Sequence, residues 1–449
     1  MAPLSALLSL LGAGAAAAAR PSAAHHARLG AGSYPLPPYP PTWALNASTI
    51  IMPCNYSGPT DPRSTVGWQY IDFDWSNWKG RGDADGWAKH KPMDCEELLV
   101  KQVDMTTSAS PGTTVWVYRN FIKALPWFTS VRVKLEDPAY ASWFLNFNCS
   151  ASDPLSGCHV PVCDTNYDPP LCSKYYHDQE QTPGFPHGDG DCAPPACDVG
   201  GIPVGEYLFN FMNANVSVNG QTLIEWYLSD YFFSQSGGGN PLISGFELDD
   251  LWTTQDGPTE MEAHVVADLG MSPSDVEAMV DAFNWARDLA YAEIFKRGRF
   301  DWTSFFTINS EWPACSGPFV SNATCASDLR SLCDASSPVQ HSAMLYGWSP
   351  GACDWSPPGP NHYDPGHLLI PETDIAAFQL IRGAYGFLGS GWEGCSLSYE
   401  RPALLDRDFG VPSGLCSETA PGSGVFERDF STVTVSLDCA TFEPTFRWK

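Results

Sequence analysis

Basic residues are scarce: 24 Lys plus Arg stand against 51 Asp plus Glu in 449 residues, for a formal net charge of −27. A chain of that sign repels phosphate backbones, and no run of Lys or Arg offers a local exception. Nucleic-acid binding therefore lacks its main energetic term, and anionic membrane surfaces are disfavoured for the same reason. Long apolar runs are missing as well. After the leader, nowhere do eighteen apolar residues follow one another, so no membrane insertion is expected. The 10 His form no H-E-x-x-H pattern, which argues against a zinc hydrolase of that type. Charged residues make up only 17% of the chain, and 17 Trp, 17 Tyr and 24 Phe supply ample material for a core, so wholesale disorder is excluded.

Met1 to Ala19 contains an apolar run from Leu4 to Leu11 and then small residues in the A-x-A arrangement that signal peptidase accepts, which reads as a secretory signal over residues 1–19. Export predicts oxidised cysteines and glycan acceptors. Both signatures are present: N-x-S/T sequons start at Asn46, Asn55, Asn148, Asn215 and Asn322, and there are 15 cysteines. The cysteines cluster from Cys149 to Cys197 and from Cys315 to Cys353 among Pro, Gly, Asp and Asn, where long loops have little core and crosslinks hold them. They read as disulfides. Their odd count leaves at least one outside an intramolecular pair.

Residues 20–42 read as a flexible linker, and the fold should begin near Trp43. Strand candidates are Trp68 to Trp75, Thr114 to Arg119, Trp143 to Phe147, Tyr207 to Phe211, Ile243 to Asp249 and Phe305 to Asn309. Helical periodicity marks Met93 to Ser108, Ser130 to Trp143, Thr222 to Ser234, Ser272 to Arg297 and Thr373 to Ile381. Alternating strand and helix over this length predicts an α/β chain built as a (β/α)8 TIM-type barrel over 43–410, with disulfide-rich loop insertions. A doubly wound sheet is the runner-up, but none of these strand candidates leads into a glycine-rich phosphate loop. The alternating stretch Gly424 to Phe446 predicts a C-terminal β-hairpin, in an extension over 411–449.

The candidate chemistry sits at strand ends. ISGFELDDLW, Ile243 to Trp252, is an apolar strand that ends abruptly in Asp249 and Asp250, which places carboxylates on the rim where barrel active sites lie. Their structural alternative is a helix cap and a satisfied loop. In YIDFDWSNW, the period of two puts Asp72 and Asp74 on one strand face, suited to binding a metal or gripping sugar hydroxyls; a solvated strand end is the other reading, and a calcium-dependent hydrolase using Asp72, Asp74 and Asp249 a further one. In FFTINSEWP, Glu311 is the candidate second carboxylate, Asn309 could hydrogen-bond a hydroxyl, and Trp312 could stack on a sugar face. Tyr118, Arg119 and Asn120 are further rim residues.

The motifs YIDFDWSNWK, PMDCEELLVKQ, TVWVYRNFIKALPWF, KYYHDQEQTP, ISGFELDDLW, LIRGAYGFLGSGWEGC and VFERDFSTVTVSLDC resemble, in this order, those of a family of uncharacterised secreted eukaryotic proteins. More distantly the chain resembles TIM-barrel glycoside hydrolases, including the endo-polygalactosaminidase type, through YLFNFMN (Tyr207 to Asn213) and GFELDD (Gly245 to Asp250). That resemblance implies a catalytic rim at Asp249 and Asp250. Asn210 stands where those proteins commonly carry an acid, and Glu247 where they carry an apolar or aromatic residue.

The expectation is a secreted glycosidase that hydrolyses O-glycosidic bonds of a poly- or oligosaccharide through two carboxyl groups. Asp249 would act as nucleophile or base and Glu311 as acid, with Asp250 beside them; Asp72, Asp74, Tyr118, Asn120, Asn309, Trp252 and Trp312 would bind the substrate. No cofactor, no metal and no nucleic acid is expected, a carbohydrate is the partner, and the chain is a monomer. The alternative from another class is a non-catalytic glycan-binding or matrix protein on a degenerate barrel.

Overall fold

The computed structural model describes residues 37, 39–53, 59–75, 94–147, 162–164, 171–173, 175–176, 205–254, 257–258, 265–302, 304–306, 322–348, 372–390 and 401–449. Within them lies one parallel sheet of seven strands. In chain order these are β1 (Thr49–Ile51), β2 (Tyr70–Phe73), β3 (Thr114–Asn120), β4 (Gly245–Asp249), β5 (Ser304–Phe306), β6 (Met344–Trp348) and β7 (Gly386–Ser390). Their spatial order is β4-β3-β2-β1-β7-β6-β5, with every neighbouring pair parallel. Every residue of β1 and β2 is buried, as a sheet covered on both faces requires.

The closed eight-stranded barrel expected from the sequence does not form. Two of the strand candidates never enter the sheet. Trp143 to Phe147 follows a Pro138–Trp143 3-10 turn and contributes only isolated bridges at Phe144 and Asn146. Tyr207–Leu208 pairs antiparallel with Lys123–Ala124, and Phe211–Asn213 turns immediately afterwards. The physical reason is visible in the register: β4 bonds directly to β3, Gly245 opposite Trp116 through Asp249 opposite Asn120, and leaves no slot between them. The sheet nevertheless curls, so that β4 makes one bridge to the segment ahead of β5. Phe300, just ahead of β5, accepts from Phe246 N–H at 3.1 Å and donates to Ser244 O at 2.7 Å.

Helices cover the outside. The helix α1 (Cys95–Ala109) packs Leu99 and Val103 inward, and its Gln102 holds both backbone groups of Thr60 at 2.8 and 3.1 Å. Ser130 to Trp143 does not form one helix: α2 (Thr129–Glu136) stops at Asp137 because Pro138 cannot continue it. A short helix, α3 (Leu223–Trp226), runs into a π turn over Tyr227–Tyr231. The longest, α4 (Pro273–Lys296), starts on a capping box in which Ser272 and Asp275 satisfy each other's backbone N–H. It buries Val276, Met279, Val280, Phe283, Ala286 and Ala290 on one stripe. Then come α5 (Asn322–Leu332) and α6 (Glu372–Ile381).

The C-terminal segment is larger than the hairpin expected: β8 (Ser417–Glu418), β9 (Val425–Asp429), β10 (Val433–Asp438) and β11 (Glu443–Trp448) form a four-stranded antiparallel sheet. Cys325–Cys439 and Cys333–Cys416 disulfides tie it to α5 and the residue after it. Arg428 from β9 donates to the carbonyls of Gln379, Leu380 and Arg382 at 3.1, 3.1 and 2.7 Å, closing the carboxyl end of α6. Among the described residues no helix is long and apolar enough to cross a membrane. The sequon asparagines Asn46 and Asn215 are exposed.

Candidate active site

Parallel pairing places residues at one register level on one face. Tyr70 and Asp72 of β2, Trp116, Tyr118 and Asn120 of β3, and Gly245, Glu247 and Asp249 of β4 therefore share the concave face. Rings fill its lower half: Tyr39 stacks on Phe300 at 4.3 Å, Phe387 meets Tyr70 at 4.8 Å and Trp116 at 5.2 Å. Acids occupy the upper half, toward the carboxyl ends of the strands. Asp74, two residues beyond Asp72, presses its charge on Asp72, Glu247 and Tyr118.

At the strand ends a directed network forms. Asn120 Oδ1 accepts the backbone N–H groups of Ile122 at 2.9 Å and Lys123 at 2.6 Å. Its Nδ2 donates to Tyr118 Oη and to Asp250 Oδ2, both at 2.6 Å. Tyr118 Oη donates to Asp249 Oδ2 at 2.9 Å, and the backbone N–H of Asp250 donates to Asp249 Oδ1 at 2.9 Å. Lys123 Nζ lies 3.0 Å from Asp250 Oδ2 and 2.8 Å from Glu206. Asp250 holds a left-handed backbone, φ 61°, which a non-glycine residue adopts only where its surroundings compensate the strain. From outside, Tyr231 Oη brackets Asn120, accepting from its N–H at 3.1 Å and donating to its carbonyl at 2.9 Å.

Burial governs the ionisation here. Asp249 is pushed up to about 7, first by desolvation and then by the Asp250 charge, while Lys123 and the Tyr118 hydrogen bond oppose the rise. Asp72 also reaches about 7, chiefly through burial; Glu247 opposes the rise and Asp74 adds to it. Glu247 is raised well above the ordinary carboxylate range by burial, Asp72 and Asp74. Two buried carboxyls that act on each other cannot both ionise cheaply: burial and the Asp72 and Asp74 charges favour the proton on Glu247, whose hydrogen bond in turn eases the ionisation of Asp72. Of Asp72, Asp74, Glu247, Asp249 and Asp250, only Asp249 retains appreciable exposure.

Six of the residues singled out from the sequence thus come together: Asp72, Asp74, Tyr118, Asn120, Asp249 and Asp250. Trp252 sits in a two-residue ribbon with its ring in the core, 1% exposed. Trp75 is buried against Trp127 at 4.8 Å. Asn309, Glu311 and Trp312 lie outside the described residues. Asn210 stands on no sheet strand, so its place in the resemblance to YLFNFMN does not put it on the rim. Among the described residues no three His, Cys, Asp or Glu side chains gather as a metal set.

The sequence reading missed Glu247, Lys123 and Glu206. Glu247 was legible, two residues before Asp249 on the same strand face. The pairing of Lys123 with Glu206 was not, since the ribbon that joins them is long-range. Two further sequence patterns begin in the last residues of β6 and β7: GWSPG from Gly347 has the spacing of a serine nucleophile turn, and GSGWEG from Gly389 that of a phosphate loop. Ser349 and Gly391 lie outside the described residues, and the helix either motif requires is not among those described. No known protein family and no curated protein matches the sequence, so the site is read from its own geometry.

Proposed function

We propose that the chain is a secreted glycoside hydrolase that cleaves O-glycosidic bonds of a poly- or oligosaccharide with two carboxyl groups. The observation that carries this reading is Asp249: a half-buried residue at the carboxyl end of an edge strand of the parallel sheet, its carboxylate accepting from Tyr118 and from a backbone N–H, in desolvated surroundings. Asp249 attacks the anomeric carbon or activates the water that does so. A second carboxyl must protonate the leaving oxygen, and Glu311, in the stretch after β5, takes that part. The two disulfides are compatible with an oxidising compartment, and the exposed sequons at Asn46 and Asn215 fit an exported chain.

The test is a glycan screen of the secreted protein beside Asp249→Asn, scoring product release and binding. Cleavage that falls by about a thousandfold in the variant, with binding retained, supports the reading. Binding by both proteins without cleavage by either supports the glycan-binding alternative. Undiminished cleavage by Asp249→Asn overturns the assignment.

A further inference from the structure

We propose that Tyr118 is the positioning residue for Asp249: a hydrogen-bond chain of fixed direction commits the Tyr118 hydroxyl proton to Asp249 Oδ2 and holds Asp249 as a pure acceptor, the form that attacks or activates water. Its consequence for catalysis rests on the glycosidase reading; the proton placement does not.

The direction follows from donors and acceptors alone. Asn120 Oδ1 accepts two backbone N–H groups, which fixes the amide the other way round at Nδ2. Nδ2 is a donor only, so Tyr118 Oη accepts at 2.6 Å and must send its own proton elsewhere. Asp249 Oδ2, at 2.9 Å, is where that hydroxyl donates. The other Asp249 oxygen already accepts the Asp250 N–H at 2.9 Å. Donors bond a carboxylate more strongly than a neutral carboxyl, so these two bonds favour the ionised form and oppose the rise that burial and the Asp250 charge impose on Asp249. Tyr231 clamps the Asn120 backbone from the outer face, which keeps the chain in register.

Other charges bear on the same carboxyl and on its donor. Just past the end of β2, Asp74 faces Tyr118; Glu247 of β4 and Asp250 just beyond it flank Asp249; from the ribbon, Lys123 faces Asp249 and Asp250, with Glu206 behind it. Tyr118 opposes the acids of this group through a neutral donor rather than a charge. That distinction makes its contribution separable from the ion pair at Lys123.

The experiment is a carboxyl-carbon NMR titration of the full-length chain labelled at Asp, with the Asp249 resonance assigned by its loss in Asp249→Asn. In Tyr118→Phe the Asp249 midpoint should rise by about one pH unit, a tenfold gain in proton affinity. Replacing Tyr118 by 3,5-difluorotyrosine keeps the shape and strengthens the donor, so the midpoint should fall. An unmoved midpoint in both, or shifts of the opposite sign, overturns the proposal. The fluorinated protein carries the test alone where Tyr118→Phe does not fold. Where the glycan screen yields a substrate, the acid limb of kcat/KM should move with the midpoint. A chain that cleaves no glycan but shows these shifts refutes the glycosidase reading and leaves the placement standing.

Discussion

Lys123 Nζ stands between two carboxylates, 3.0 Å from Asp250 and 2.8 Å from Glu206, with the Lys123 and Asp250 side chains 7% and 0% exposed. One ammonium thereby joins the end of β4, where Asp250 sits in a strained left-handed conformation, to the segment that enters the Tyr207–Leu208 ribbon.

Lys123→Met would strand Asp250 and Glu206 without their cation. Breaking a buried pair by removing one partner destabilises by about 3–5 kcal/mol, and Glu206 at 13% exposure moderates this toward the lower end. A chemical denaturation midpoint within experimental error of wild type would show that the cluster contributes nothing to the fold.

Gly245→Ala probes the bridge between β4 and the segment ahead of β5. A Cβ there would lie 2.6 Å from Phe300 O and 2.8 Å from Phe300 Cβ and Trp116 Cδ1, and the carbonyl cannot yield without breaking the bridge. The expected loss is about 1–3 kcal/mol, read by thermal melting, with Gly112→Ala as a control because nothing lies within 4 Å of that position.

The acids inside the curled sheet set the pH dependence of stability. Asp72 is raised to about 7, and burial lifts Asp301 well above its ordinary value. Raised carboxyls keep protons in the folded chain that the unfolded chain has already released. Their contribution is therefore intact below about pH 4, the unfolded value; that of Asp72 is lost as pH climbs through about 7, and that of Asp301 falls in the same sense. Melting temperatures should fall across that window and fall less steeply in Asp301→Asn. An equal slope in the two proteins would remove Asp301 from the account.

Reducing the disulfides should loosen the C-terminal sheet before the parallel one. Cys333–Cys416 and Cys325–Cys439 close loops of 83 and 114 residues in sequence, and each contributes about 2–4 kcal/mol by restricting the unfolded chain. Limited proteolysis after mild reduction should cut first within 401–449. Cleavage starting in β2 to β4 instead would show that the sheets depend on one another differently.

What the sequence determined is local. Thr114–Asn120 and Gly245–Asp249 are short, apolar and bounded by polar residues, α4 opens on a Ser-Pro-Ser-Asp signal, and Asp249 and Asp250 interrupt an apolar run abruptly enough to mark a rim. Asp72 and Asp74 share a face because strands alternate, whatever surrounds them. The strand count was not local. Tyr207 to Phe211 reads as strongly β as β2 does, yet it pairs antiparallel with Lys123–Ala124, because β4 already occupies the edge of β3. Likewise β6 and β7 lack period-two alternation and were invisible until parallel partners supplied their hydrogen bonds. Only the curl of the sheet brings Glu247 to Asp72 across β3, and only the ribbon brings Lys123 to Glu206. Ionisation at Asp249 depends on those arrivals: desolvation and neighbouring charge act over a few ångströms in space, and distance along the chain does not encode them.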